Sequence, residues 1–148
     1  MAQAANRTGF TLIEMMIVLV ILAITASYAL SSYRRHLVRG YRLEAMQGLL
    51  AAAAEQEKFY LTQGHYSDRL DAVAGDDPPG LPVASVTPHR RYRLAIEFAD
   101  ASAFRVVALP NEHGGQADDV ECRRISIDES GRREAQDSTG RDSTPRCW

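Results

Sequence analysis

At 148 residues and 16.4 kDa the chain has the size of one modest domain with at most an appendage, which excludes a multidomain enzyme. Its 45% hydrophobic content coexists with a slightly negative mean hydropathy of -0.26, so the apolar residues are unevenly placed. The formal charge of -2 splits into +2 over residues 1–61 (six basic, four acidic) and -4 over residues 62–148 (eleven basic, fifteen acidic), and an acidic C-terminal part speaks against a general nucleic-acid binder.

The apolar residues crowd the start. A short polar leader, Met1 to Gly9 with one Arg7, precedes Phe10 to Leu30, where 17 of 21 residues are apolar and the exceptions are Thr11, Glu14, Thr25 and Ser27. As a helix this stretch is about 31 Å long, close to the thickness of a bilayer's hydrocarbon core. The order differs from a secretory signal peptide, because the apolar run is long enough to remain as an anchor. Glu14 stands out within it. A carboxylate near the end of a membrane helix costs several kcal/mol unless it is paired, and such groups are usually functional. The plainer alternative is that Glu14 lies shallow enough to reach the interface, or is protonated.

The run Gly9-Phe10-Thr11-Leu12-Ile13-Glu14, followed by Met15-Met16-Ile17-Val18, resembles the cleavage and assembly signature of the type IV pilin and pseudopilin family. The resemblance implies that a prepilin peptidase cuts after Gly9 and methylates Phe10, and that Glu14 neutralises the new amine of Phe10 in an adjacent copy. It also implies a single-pass precursor in the inner membrane with a periplasmic head, later built into an extracellular pilus. The implied partners are other pilin subunits, the peptidase and the inner-membrane assembly machinery.

No proline occurs before Pro78, and apolar residues recur at helical spacing through Tyr33, Leu37, Tyr41, Ala45, Leu49 and Ala53 to Phe59 and Tyr60. The pattern predicts one helix from about Thr11 to Leu61, about 75 Å long. Residues 10–30 form its membrane and assembly half and residues 31–61 its amphipathic half. Gly40 and Gly48 are expected to weaken that second half by about 1 kcal/mol each relative to Ala, and Gly64 suits a left-handed cap. Type IV pilins commonly carry a glycine and a proline where this chain has Ala23 and Ser31, so its helix is expected to run more continuously, as suits a sparse or tip subunit. Arg34, Arg35, Arg39 and Arg42 follow the apolar run. Read alone they would place the head in the cytoplasm; the leader motif and the cysteines favour the opposite side, with the arginines meeting anionic headgroups or, in a filament, neighbouring acids such as Glu44.

Residues 62–91 read as an irregular connection, with four of the six prolines between Pro78 and Pro88. Tyr92 to Phe98 alternates apolar and polar residues, and Ala103 to Leu109 follows after an Asp100 turn, which predicts an antiparallel hairpin. A third strand is expected at Arg124 to Asp128, and the Asp128-Glu129-Ser130-Gly131 turn leads into a weaker fourth segment. Three or four strands over the amphipathic half give an α+β roll of the type IV pilin kind. Cys122 and Cys147 lack metal or redox spacing and read as a disulfide around the polar tail, contributing about 3 kcal/mol. Together with Gly115-Gln116-Ala117-Asp118-Asp119, the closing Cys147-Trp148, and Arg42 to Ala45 and Gln56 to Tyr66, which follow an Arg-x-Glu-Ala and a Gln-Glu-x-x-Tyr-x-x-x-Gly-x-Tyr pattern, the head is similar to minor pilins of the PilE type.

His36, His65, His89 and His113 have no second ligand at helical or hairpin spacing, so no metal or cofactor is expected. Asp76-Asp77 and Asp118-Asp119 read as turn acids, and no catalytic constellation appears. The leading expectation is a structural, non-enzymatic minor subunit of a type IV pilus, serving motility, adhesion or DNA uptake. The alternatives are a type II secretion pseudopilin, a signal-anchored periplasmic protein, or a DNA-uptake pilin using Arg90, Arg91, Arg93, Arg123 and Arg124. A solvated charged strand face is the favoured reading of those arginines, because only Tyr92 interleaves with them.

Overall fold

The computed structural model describes residues 11–112 and 115–148, apart from the side chains of Ser31, Ser32, Arg34 and Arg35. The expectations resting on Gly9, Phe10 and His113 lie outside the described residues. A single helix α1 runs over Leu12–Gln63, 52 residues without a break through Ala23 and Ser31. Thr11 opens it: its hydroxyl accepts the Glu14 N–H at 3.3 Å. Gly64, at φ 74°, closes it and donates its N–H to Tyr60 O at 2.8 Å, a left-handed cap that only glycine adopts without strain.

The chain divides between Leu37 and Val38 into two compact units. In the first, every helical residue from Leu12 to Leu30 is exposed. The second, from Val38 to Trp148, is the head, and it includes the rest of α1. Its strands are β1 (Tyr92–Ala99), β2 (Phe104–Pro110), β3 (Arg124–Asp128) and β4 (Arg133–Gln136), with a short closing helix α2 (Thr144–Cys147). They form one four-stranded antiparallel sheet in sequence order, with a register shift between Ile96 and Phe98.

The period-two alternation decides the packing. Tyr92 and Leu94 of β1, Phe104, Val106 and Ala108 of β2, Ile125 and Ile127 of β3 and Ala135 of β4 enter one core with Ala45, Leu49, Ala52 and Phe59 of α1. Each large apolar side chain buried there contributes about 1.5–3 kcal/mol. Gly48 corrects the sequence expectation. A Cβ there would lie 2.7 Å from Leu94 Cδ1, so glycine is what lets helix and sheet meet.

The stretch before β1 is irregular but not loose. Leu81 and Val83 are buried, and backbone bonds tie Asp71 to Val83, Ala72 to Leu81 and Leu81 to Arg69. Gln56, fully buried on α1, holds Ser67 through two hydrogen bonds of 2.7 and 2.9 Å. The tail folds back on the outer edge of β4, where Ser143 N–H donates to Ala135 O and Trp148 Nε1 donates to Glu134 O.

Candidate functional site

Two regions carry chemistry, the apolar helix and the joint between α1 and the end of the head. In the first, Thr11 and Glu14 stand at the Thr-x-x-Glu spacing of a helix N-terminal capping box, which places the Glu14 carboxylate in the first turn, where the helix dipole favours negative charge. The hydroxyls of Thr25 and Ser27 donate back to the carbonyls of Ile21, Leu22 and Ala23. These bonds satisfy the Thr25 and Ser27 hydroxyls within a helix made for an apolar medium.

At the joint, Arg42 is 6% exposed and Asp119 only 3%. Arg42 Nε and Nη2 each lie 2.7 Å from an Asp119 oxygen, a bidentate pair, and Nη2 reaches Glu121 at 3.0 Å. Nη1 donates to Arg146 O at 3.2 Å. The Cys122–Cys147 disulfide is formed, and Glu121 and Arg146 are the residues preceding its two half-cystines, so guanidinium and disulfide clasp the same pair of segments. Gln116 Nε2 spans Val38 O, the Tyr92 hydroxyl and Asp119 at 2.8 to 3.1 Å, joining the first head turn of α1 to the start of β1. Burial opposes the charge on Arg42, but its bonds to Asp119 and Glu121 outweigh that and hold its pKa above the ordinary value. Burial first, then the Asp119 charge, pushes the Tyr92 hydroxyl strongly upward.

One sequence expectation changes here. Arg42 meets an acid inside the head, because Asp119 and Glu121 close over it. Asp119 is a turn acid, its Oδ1 accepting from the N–H groups of Glu121 and Cys122, and it is also that buried partner. No sequence spacing relates residues 77 positions apart, so only folding brings them together. Glu44 pairs instead with His89.

The five arginines proposed for nucleic acid do not form one free stripe. Arg91 lies over the Tyr41 ring at 4.7 Å, Arg123 donates to Ala117 O, and Arg124 pairs with Glu97 across the outer face of the sheet. Arg90 and Arg93 are exposed and carry no side-chain partner among the described residues. Tyr92, expected to interleave with them, is fully buried. Among the described residues no group of three or more His, Cys, Asp or Glu is arranged to hold a metal.

A long helix, apolar in its first half and laid in its second half on a four-stranded antiparallel sheet with a disulfide-held tail, defines the type IV pilin class. The solved structure of the Neisseria meningitidis non-core minor pilin PilV shares this fold at a TM-score of 0.51 and 16% identity, covering 70% of this chain and 90% of that one. The prokaryotic N-terminal methylation motif matches residues 4–30. Residues 31–126 match the family described as type IV minor pilin ComP, DNA uptake sequence receptor, and the chain belongs to that family. It is a minor type IV pilin. No curated protein matches it at a significant level.

Proposed function

We propose that the chain is made as a precursor with a leader at residues 1–9, cut after Gly9 by a prepilin peptidase and methylated on the new Phe10 amine. Residues 10–30 hold it in the inner membrane with the head, residues 62–148, in the periplasm, until the assembly machinery draws it into a filament with other pilins. Glu14 neutralises the Phe10 amine of a neighbouring subunit on entry. The observation that carries this reading is the helix from Leu12 to Leu30, apolar and exposed along its whole length, with the methylation motif matched over the same residues. Such a surface needs lipid before assembly and sister helices afterwards. The role is structural, and no catalytic step is assigned to it. Mass spectrometry of sheared filaments tests it: a peptide beginning at methylated Phe10 is expected, and a chain retaining Met1 to Gly9 refutes it. Glu14→Ala is expected to leave cleavage intact and stop incorporation.

A second reading, reception of DNA, is supported by the description of the family that residues 31–126 match. Arg90 and Arg93, within the matched stretch and unpaired, are the arginines free to meet phosphates. Purified full-length protein that shifts duplex DNA in a salt-dependent way supports it, and no shift at low salt removes it.

A further inference from the structure

The end of the head where α1 enters it carries more positive charge than the head uses. From the loop before β1 and from its first residues come Arg90, Arg91 and Arg93; from α1 comes Arg39, exposed and without a described partner. Of the acids at this end, Glu44 is engaged by His89, and Glu112 and Asp118 are exposed. Arg39, Arg90 and Arg93 are exposed and have no side-chain partner among the described residues. The loop is braced rather than free. The His89 ring packs on Tyr41 at 5.7 Å, and Arg90 is held in the left-handed region at φ 56°, with its carbonyl accepting from Asn111 Nδ2. Arg91 rests on Tyr41, yet its Nε is buried with no hydrogen-bond partner.

Residue Tyr41 follows Leu30, the end of the apolar span, by 11 positions (41 minus 30). Whatever the conformation between them, that length of chain reaches at most about 38 Å, so this end of the head is tethered near any membrane the span occupies. We propose that this arginine-bearing end, Arg39 with residues 89–93, docks on the anionic phospholipid surface of the membrane that anchors the precursor. The head is then parked until extraction pulls it away. The proposal rests on the anchoring reading above. Lipid fits better than single-stranded nucleic acid as the occupant here, because single-stranded binding platforms need exposed aromatic faces. Tyr92 is buried and Tyr41 is covered by Arg91 and His89, whereas headgroups need only charge within a Debye length.

The test uses the full-length chain in vesicles of phosphatidylcholine alone or enriched in phosphatidylglycerol, with amide exchange read over residues 87–93. Exchange there is expected to slow in the anionic vesicles only. A variant carrying Arg90→Asn, which tolerates the left-handed backbone, and Arg93→Gln is expected to weaken the docked state about fivefold per arginine while remaining in the vesicles. Equal exchange in both lipids, or protection that survives the double substitution, overturns the proposal. So does duplex DNA protecting the loop in neutral vesicles more strongly than anionic lipid does. A chain that floats with neither vesicle refutes the anchoring reading itself, and this proposal with it.

Discussion

Replacing Arg42 with Met keeps an unbranched apolar stem and removes the guanidinium with its charge. Asp119 would keep its contacts from Gln116 Nε2 at 3.0 Å and from the N–H groups of Glu121 and Cys122 at 3.2 and 3.3 Å, but it would lose both short bonds to the guanidinium while staying buried. A buried charge left without its partner costs about 3–5 kcal/mol. Asp119→Asn is expected to cost less, about 1.5–3 kcal/mol, because Arg42 retains half-exposed Glu121 and the Arg146 carbonyl. The double variant Arg42→Met with Asp119→Asn removes both charges at once. Its cost should fall short of the sum of the single substitutions by about 2 kcal/mol or more, since the desolvation of each ion disappears with it. Urea unfolding of the detergent-solubilised chain, followed by near-ultraviolet circular dichroism, reads all three. A single Arg42→Met variant within about 0.5 kcal/mol of the parent, or strict additivity of the pair, refutes the reasoning.

The two helical glycines should respond in opposite directions. Gly40→Ala meets open space and should stabilise by about 1 kcal/mol, whereas Gly48→Ala drives a methyl into Leu94 and should cost about 1–3 kcal/mol in the same urea assay. Replacing Cys122 and Cys147 by Ser opens a loop of sequence separation 25 and should lower stability by about 3–4 kcal/mol, with the tail on β4 becoming the first segment to exchange its amides. Acid and alkali act through different groups. Asp100 is held below the usual carboxylate range by the Ser102 N–H, and Asp137 and Asp142 by the Thr139 and Thr144 hydroxyls. Groups lowered on folding add stability above their unfolded value of about 4, and that stability is lost as pH falls below it. Tyr92 is raised, so its contribution is complete below about pH 10 and is lost as pH climbs beyond, a slope that Tyr92→Phe should remove.

The parts of the fold that depend on local pattern were legible. The α1 span, the β1–β2 hairpin, β3 and the Gly64 cap follow from spacing and turn chemistry, and their ends differ from expectation by a residue or two. The weaker fourth segment proved to be β4, four residues long, because an edge strand needs little pattern of its own once a tail covers it. The helix α2 was not expected: Pro145 beside a disulfide reads as a turn, and only the closed loop gives it a surface to coil on. Gly48 was read by propensity alone, and propensity omits the neighbour across the interface. The buried network was invisible for a different reason. Arg42 sits among other arginines and Asp119 beside Asp118, so Arg42 reads as a partner for headgroups or neighbouring acids and Asp119 as a turn acid; the signals available were the Arg42 to Ala45 and Gly115 to Asp119 stretches of the family resemblance.

The position of that network follows from what the helix must do. Before Val38 no residue of α1 belongs to the head, so among the described residues the first hydrogen bonds joining rod to head are Gln116 to Val38 O and Arg42 to Asp119, Glu121 and Arg146. Any pull on the anchor, during extraction or within a filament, reaches these bonds before it reaches the apolar core at Ala45 and Leu49. Apolar packing is non-directional and yields gradually, whereas a bidentate guanidinium–carboxylate pair has a defined geometry. Because the same guanidinium also holds the residues flanking both half-cystines, a pull on the helix is shared with a covalent loop instead of peeling α1 from the sheet. Rupture should therefore begin with both segments of the disulfide loop together. Single-molecule extension from the helix end should show one cooperative unfolding event, and Arg42→Met should split it into an early release of the helix at lower force followed by opening of the sheet.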